Sequence, residues 1–457
     1  MTQSVDRREL LQGAAALAAL GVAGEGAQAA ATKPLRVGVV GSGWFGKLNL
    51  HCLRQIAPVG MVAMCDVDRH MLADAGKEVM AMTDAVHKLA APPALYHDYR
   101  EMLAKHKFDI VIVATPDHWH TLPALAAMEA GAHVYLEKPV SVDIIEGQAL
   151  VAMARKHNRK VQAGTQRRTA PFMIEAHEKV VKGGLLGKVG QIDVFSYYHQ
   201  RPAHFPPPAP VPDYLDWNFY CGPAPMVTYN PLIHPLNWRA FIEFSNGYMG
   251  DMGIHMIDTC RFMLGFDWPK RVFSTGGIFV DKQSASDVPD TQIATFDYDD
   301  FLMTWTNRQW ATELDPKDAW GAHIYGAKGT LKLGSDSYEF IPSDPGAPHL
   351  SAARPLEFDK YPTDKLLNGK MGNFQLAPAI RAHMHDFLAA IAADTQPAAN
   401  IATAYISTST CILANMAYRL KRPLQWDADK QQIVGDEEAN RMLARPYRAP
   451  WVHPKPI

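Results

Sequence analysis

LRVGVVGSGWFG, residues Leu35–Gly46, decides how the rest of the chain is read. The apolar run Leu35–Val40 leads straight into Gly41-Ser42-Gly43-Trp44-Phe45-Gly46, and a helix-compatible stretch, Lys47–Ile56, follows. Strand, glycine turn and helix start in that order make a dinucleotide-binding unit. Gly41 allows the tight turn, Gly43 lets the backbone approach a pyrophosphate, and Gly46 lets the helix pack close to the strand. The helix start adds N–H donors and positive partial charge for the phosphates. A bare GxGxxG is a weak signal, because glycine turns are common. Here a second apolar run, Val59–Cys65, ends at Asp66, about 20 residues beyond the last glycine, where the fingerprint asks for an acid. A carboxylate at that point accepts from ribose hydroxyls and repels a 2′-phosphate, so the expected cofactor is NAD rather than NADP.

The 457 residues suffice for two or three domains with sizeable cores. With 20% charged and 47% hydrophobic residues the composition is that of a globular protein, and a formal net charge of −2 gives no reason to expect nucleic acid as a partner. No apolar run downstream of the N-terminus is long enough to span a membrane. The five cysteines (Cys52, Cys65, Cys221, Cys260, Cys411) form no CxxC pair and read as small core residues rather than a disulfide framework or a metal site. Residues 1–31 read as a targeting segment: Arg7-Arg8, an Ala-rich weakly apolar run from Gly13 to Gly24, and the small residues Ala27-Gln28-Ala29-Ala30. This is similar to a twin-arginine signal with a cleavage site, which predicts export to the periplasm by machinery that carries folded proteins. Such a route suits a chain that takes up its dinucleotide before export and then keeps it tightly bound.

From residue 33 to 164, strand-like runs (Leu35–Val40, Val59–Cys65, Ile110–Ala114, Ala132–Leu136, Lys160–Ala163) alternate with helix-compatible ones such as Leu122–Ala130 and Asp143–His157. That alternation predicts a parallel, doubly wound α/β sheet, with ligands beyond the carboxyl ends of its strands. From 165 to 425 the pattern is a helix-like Pro171–Lys182, a strand Val189–His199 and a Pro/Tyr/Trp-rich surface excursion over 200–236. An apolar helix about Asp251–Leu264 follows, then strands Arg271–Val280, Gln292–Phe296, Phe301–Thr306, His323–Tyr325 and Thr330–Leu333. Strands without intervening helices predict an α+β domain with an open, predominantly antiparallel sheet. Helices return at Ala377–Ala393 and Ala402–Leu420, and 426–457 reads as an ordered tail.

Two strand ends of the first domain carry chemistry: Thr115-Pro116-Asp117-His118-Trp119-His120 and Glu137-Lys138-Pro139. The proline disfavours helix at Lys138 and can take a cis bond, either of which fixes where the amine points. An ammonium there can stabilise a developing alkoxide. Asp251 and His255, four apart at a helix start, share a face, and a carboxylate beside an imidazole suits a general base or acid. Metal ligation by Asp251, His255, His118 and His120 competes with this reading but lacks a recognised zinc spacing, and no metal is expected. Trp119 can stack on a sugar or nicotinamide face. Gln166, Arg167 and Arg168 end another strand, and at least one of them is expected to be solvated.

Taken together, GSGWFG at 41–46, TPDHWH at 115–120, EKP at 137–139, GTQRR at 164–168 and GDMGIHMID at 250–258 resemble the glucose–fructose oxidoreductase and inositol dehydrogenase (Gfo/Idh/MocA) family. The resemblance runs from about Leu35 to the YRAPW tail. It implies a Rossmann domain followed by a predominantly antiparallel sheet domain, a sugar or polyol substrate between them, and a homo-oligomer (dimer or tetramer) formed through the open sheet. By the same carry-over, Lys138 matches the lysine that contacts nicotinamide and substrate, and Asp251 and His255 match the family's Asp and catalytic His. Expected cofactor contacts are Gly41, Ser42, Gly43, Trp44, Phe45, Gly46, Asp66, Thr115, Pro116, His118, His120, Glu137, Lys138 and Gln166. Expected substrate contacts are Arg167, Trp119, Tyr220, Trp238, Arg239, Asp251 and His255. The reading is an exported, NAD-dependent oxidoreductase acting on a sugar or glycoside hydroxyl, with His255 as base, Lys138 assisting and Asp251 orienting His255 or holding a neighbouring hydroxyl. Two alternatives stand beside it: an NAD-dependent glycosidase working by transient oxidation, elimination and hydration, and a non-catalytic sugar-binding protein with vestigial NAD. Retention of the lysine in EKP departs from the usual glycosidase pattern.

Overall fold

β1 (Leu35–Val40) is the centre of the first sheet, paired in parallel with β2 (Val59–Cys65) on one side and β4 (Ile110–Val113) on the other. Buried on both faces, it can be apolar throughout, and Val37 and Val39 are wholly inaccessible. β3 (Ala94–Tyr96), β5 (His133–Leu136) and β6 (Val161–Ala163) complete six parallel strands in the order β3-β2-β1-β4-β5-β6. The computed structural model describes residues 33–197, 206–207, 209–310, 318–367 and 374–456. The expected targeting segment, 1–31, lies outside them, as does part of the excursion.

Among the described residues the second sheet has ten strands, in the order β14-β13-β12-β11-β7-β10-β9-β8-β15-β16. They are β7 (Val189–Ser196), β8 (Arg271–Gly277), β9 (Thr291–Asp297), β10 (Leu302–Arg308), β11 (Trp320–Gly326), β12 (Gly329–Leu333), β13 (Ser337–Pro342), β14 (Leu350–Ala353), β15 (Leu424–Asp427) and β16 (Gln432–Ile433). All neighbours are antiparallel except β7 and β10. One face, with Ile192, Ala294, Met303 and Trp305, packs on the helices Ile254–Leu264 and Ile401–Leu420. Alternation along the strands turns Phe273, Ile293 and Leu302 to the other face, where they are exposed.

Three features depart from a simple succession of domains. The helix Ala377–Ala392 returns to the first sheet and packs on the helix Trp44–Ile56, sharing a core of Leu48, Leu53, Ile380, Met384 and Phe387. The excursion has a core of its own, with Trp217, Tyr220, Tyr229, Trp238 and Phe244, and so is more than a surface loop. The segment after residue 426 begins inside a strand pair of the second sheet and then returns to the first. There Arg445 and His453 bind Asp143, and Tyr447 binds Glu146, at the start of the helix Ile144–Lys156.

Candidate active site

The glycine turn has the geometry its sequence asks for. Gly41 sits at φ +90°, and a Cβ there would meet the Ala114 backbone at 2.6 Å. A Cβ on Gly46 would lie 2.0 Å from the Gly41 carbonyl oxygen, so the helix reaches its position only without a side chain. Above Gly43 the space is open, with only the Met71 Cε at 3.7 Å, and this residue starts the helix with no side-chain cap on its N–H groups. At the end of β2, Oδ2 of Asp66 accepts from the Ser42 N–H (2.7 Å) and hydroxyl (2.9 Å), and Oδ1 accepts from the Asp68 N–H (3.0 Å). Ser42 thus acts by fixing Asp66, and it is Asp66 that faces the cleft.

That cleft opens at the carboxyl ends of β1, β2, β4 and β5 and encloses about 1070 Å³, counting the part open to solvent. Of the expected cofactor contacts, Gly41, Gly43, Trp44, Phe45, Asp66, Thr115, Pro116, Glu137 and Lys138 line it. Trp119, Tyr220, Trp238 and Arg239, expected to touch substrate, line the same cleft. Tyr220 comes from the excursion and Trp238 and Arg239 from the turn Asn237–Ala240 just after it, and together they dock over the cleft as a roof: Asp68 bridges Leu215, the Arg69 N–H donates to the Tyr214 carbonyl (2.9 Å), and His234 Nε2 lies 2.9 Å from Asp68 Oδ2.

The expected contacts at His118 and His120 need correction. Neither ring lines the cleft. His118 Nε2 meets the Tyr220 carbonyl at 2.8 Å, and the His120 ring sits between the carbonyls of Pro139 (2.6 Å) and Thr115 (2.9 Å). Burial pushes both pKa values down to about 4, and both rings tie the end of β4 to its surroundings. Trp119 likewise donates its indole N–H to the Phe219 and Tyr220 carbonyls of the roof. Gln166 and Arg167 also lie away from the cleft lining, and none of the Gln166-Arg167-Arg168 trio is solvated, each being 9% exposed or less. Arg168 makes a two-point ion pair with Asp258 (2.7 and 2.9 Å), and Arg167 lies over the Trp320 ring at 4.3 Å. Gly46 acts through packing alone.

On the cleft lining, Lys138 Nζ donates to the Asp251 carbonyl (2.8 Å) and to its Oδ1 (2.7 Å), and Arg239 Nε approaches the same oxygen at 3.3 Å; Asp251 and His255, expected to touch substrate, lie behind these two side chains and outside the lining itself. The Lys138–Pro139 peptide is cis. Asp251, expected to orient His255 or to hold a neighbouring hydroxyl, has its Oδ1 held by the ammonium, a strong partner for a carboxylate. Nδ1 of His255 is buried without a hydrogen-bond partner, and the ring stands edge-on to Trp320, 5.4 Å between centroids. Burial first, then the positive charges of Lys138 and Arg167, hold the His255 pKa well below that of an ordinary histidine. The imidazole is therefore neutral and able to take a proton.

Sequence reasoning missed Asp117 and His234. Asp117, 3% exposed, lines the cleft, its carboxyl has no hydrogen-bond partner among the described residues, and burial raises its pKa to about 8. Its burial depends on the roof, some hundred residues away in sequence, so no local pattern announced it. Several buried polar atoms on the lining lack partners, namely Thr115 Oγ1, Tyr220 Oη and His234 Nδ1. A dinucleotide, rich in hydroxyl, phosphate and amide groups, fits a cleft with an open glycine turn at one end and unspent hydrogen-bonding groups along its walls. Among the described residues, one group could hold a metal ion, Asp143, Glu146 and His453. Its oxygens already accept from the N–H groups of Glu146, Arg445 and Val142 and from the Tyr447 hydroxyl, which accounts for it as a clasp on the tail.

A parallel sheet with this glycine turn, followed in the chain by a mostly antiparallel second sheet, defines the class as a nicotinamide-dinucleotide-binding oxidoreductase. Residues 35–165 match the NAD-binding Rossmann fold of the Gfo/Idh/MocA oxidoreductase family, and residues 173–334 and 367–453 match that family's C-terminal alpha/beta domain. The chain belongs to this family. It is 23% identical over 303 residues to the uncharacterized oxidoreductase YrbE of Bacillus subtilis, covering 65% of this chain and 73% of that one. It is 35% identical over 178 residues to a glycosyl hydrolase family 109 protein of Saccharopolyspora erythraea, covering 34% of this chain and 37% of the relative. A levoglucosan dehydrogenase solved with NADH and levoglucosan superposes with a TM-score of 0.61 at 18% identity, over 86% of this chain and 99% of the other. Several further curated relatives are matched over about half their length.

Proposed function

We propose that the protein is an NAD-dependent dehydrogenase acting on a hydroxyl of a sugar, polyol or glycoside. The observation that carries this is an ammonium on the cleft lining, held at two points by Asp251, with the buried imidazole of His255 within its electrostatic reach. Lys138 places positive charge where the substrate oxygen gains electron density, and His255 receives the hydroxyl proton. Asp251 fixes the ammonium. The glycine turn and Asp66 hold the adenosine diphosphate half, while Thr115, Glu137 and Lys138 border the nicotinamide half. Bound NAD supplies the hydride acceptor. The roof and the buried aromatics around it exclude water.

Replacing Lys138 or His255 by Ala is expected to lower turnover about 10²-fold or more, while NADH still binds. The Lys138 variant is expected to fold, because Arg239 remains beside Asp251. Unchanged turnover in either would sink the assignment, and wild-type protein that binds a sugar and NADH without turning either over would favour a non-catalytic sugar-binding protein. The family 109 relative supports a second reading, glycoside cleavage without net change in the cofactor. Product analysis on an aryl glycoside separates the two: a free phenol with constant NADH supports cleavage, and an oxidised glycoside with accumulating NADH supports the dehydrogenase. The twin-arginine pattern supports export to the periplasm, and export in turn favours tightly bound NAD. The exposed apolar face of the second sheet supports a homo-oligomer.

A further inference from the structure

We infer that the roof is a second half of the cofactor site, with Tyr220 and His234 holding the adenosine ribose of NAD from above while Asp66 holds it from below. This rests on the NAD-dependent reading and adds to it residues from outside the Rossmann domain. Tyr220 is 3% exposed and its ring is stacked on Trp217 (4.8 Å between centroids), with Phe244 and His118 edge-on. That packing accounts for the ring and leaves its hydroxyl unexplained. Tyr220 is one of the residues that line the cleft, and its Oη is buried with no hydrogen-bond partner. A buried hydroxyl left unpaired costs free energy, and a native chain keeps one where a ligand completes it.

His234 carries the same signature beside Tyr220, the two rings standing edge-on with 5.1 Å between centroids. Its Nε2 meets Asp68 Oδ2 at 2.9 Å, which places the proton on Nε2 and leaves Nδ1 as a lone-pair acceptor. His234 is a lining residue of the cleft, and its Nδ1 is buried without a partner. The two atoms therefore offer an acceptor and a hydroxyl that can donate or accept. A ribose with two free hydroxyls suits that set beside the Asp66 carboxylate, whereas a 2′-phosphate has no proton for Nδ1 at neutral pH and would face Asp66 and Asp68. The position along the cleft is fixed by the sheet. Asp68 caps the helix Arg69–Ala81 just beyond β2, and Tyr220 lies within electrostatic reach of Asp66. Lys138 follows β5, with β1 and β4 between. The roof contacts thus fall at the adenosine end, away from the reacting carbons.

The test uses the full chain freed of cofactor, with NADH fluorescence as the reporter and ADP-ribose as a competitor that lacks nicotinamide. Tyr220→Phe removes one atom and keeps the ring. His234→Gln places an amide donor where Nε2 was and removes the Nδ1 acceptor. Each is expected to weaken both NADH and ADP-ribose about tenfold and to speed NADH release, while Tyr220→Phe leaves the melting temperature of the cofactor-free protein unchanged or raises it. Unchanged ADP-ribose affinity in both variants overturns the inference, as does a fall in NADH affinity alone, which would move the contacts to the nicotinamide end. Wild-type protein that binds no NADH would instead overturn the NAD-dependent reading itself.

Discussion

Asp117 shows how one residue can be read correctly by type and still be missed by role. Its neighbours Thr115 and Pro116, and Lys138 on the adjacent strand end, were legible because motif and strand end coincide. Asp117 differs in being sealed by residues 234–239, whose position no local sequence rule gives. Its raised pKa has a signed consequence. Folding favours the protonated form, so this contribution to stability is fully present below the ordinary value of 3.8 and is lost as pH climbs toward about 8. Asp117→Asn abolishes the titration. Wild-type stability relative to that variant is expected to fall by about 1.4 kcal/mol per pH unit between pH 4 and 7 and to level off above 8. His118 and His120, whose pKa values are shifted down, act in the opposite direction, but they are common to both proteins and cancel in the difference. Urea unfolding of both proteins across that range measures it, and parallel curves would refute the burial of an unpaired acid.

At the level of the element, the glycine turn separates folding from binding within six residues. A methyl on Gly46 collides with the Gly41 carbonyl, so Gly46→Ala is expected to cost about 3 kcal/mol in urea unfolding. A methyl on Gly43 meets nothing closer than 3.7 Å, so Gly43→Ala is expected to change stability by under about 1 kcal/mol yet weaken NADH tenfold or more, by filling the space for the pyrophosphate. Equal losses of stability in the two variants would contradict this division. Elements with strong periodicity were legible to within a residue or two: β1, β2 and the helices Ala377–Ala392 and Ile401–Leu420 carry their burial in the sequence. β3, with its three residues, and β13 to β16, the outermost two strands at each end of the second sheet, were not. They are short or half exposed, and pairing rather than local pattern makes them strands.

At the scale of the whole molecule, chain order predicted two kinds of sheet but not how the chain crosses between them. β7 pairs with β10 and β11, more than a hundred residues further on, and the helix Ala377–Ala392 closes the flank of the first sheet. Long-range pairing of that sort leaves no local trace. The outer face of β8, β9 and β10 exposes Phe273, Ile293 and Leu302 by 42, 46 and 45%. If that face joins two copies, Ile293→Lys is expected to convert an oligomer to monomers in light scattering without loss of helix content; an unchanged mass would place the contact elsewhere. The returning tail bears on the order of synthesis. Arg448 holds the Gly222 carbonyl of the roof across 226 residues of sequence, and Trp451 stacks on Phe219. A ribosome-bound chain that has not yet emerged past Arg445 already has the glycine turn, Asp66 and the roof residues, but lacks the brace that presses the roof into place. Cofactor loading thus follows the emergence of this stretch, once it has folded back over a domain made first.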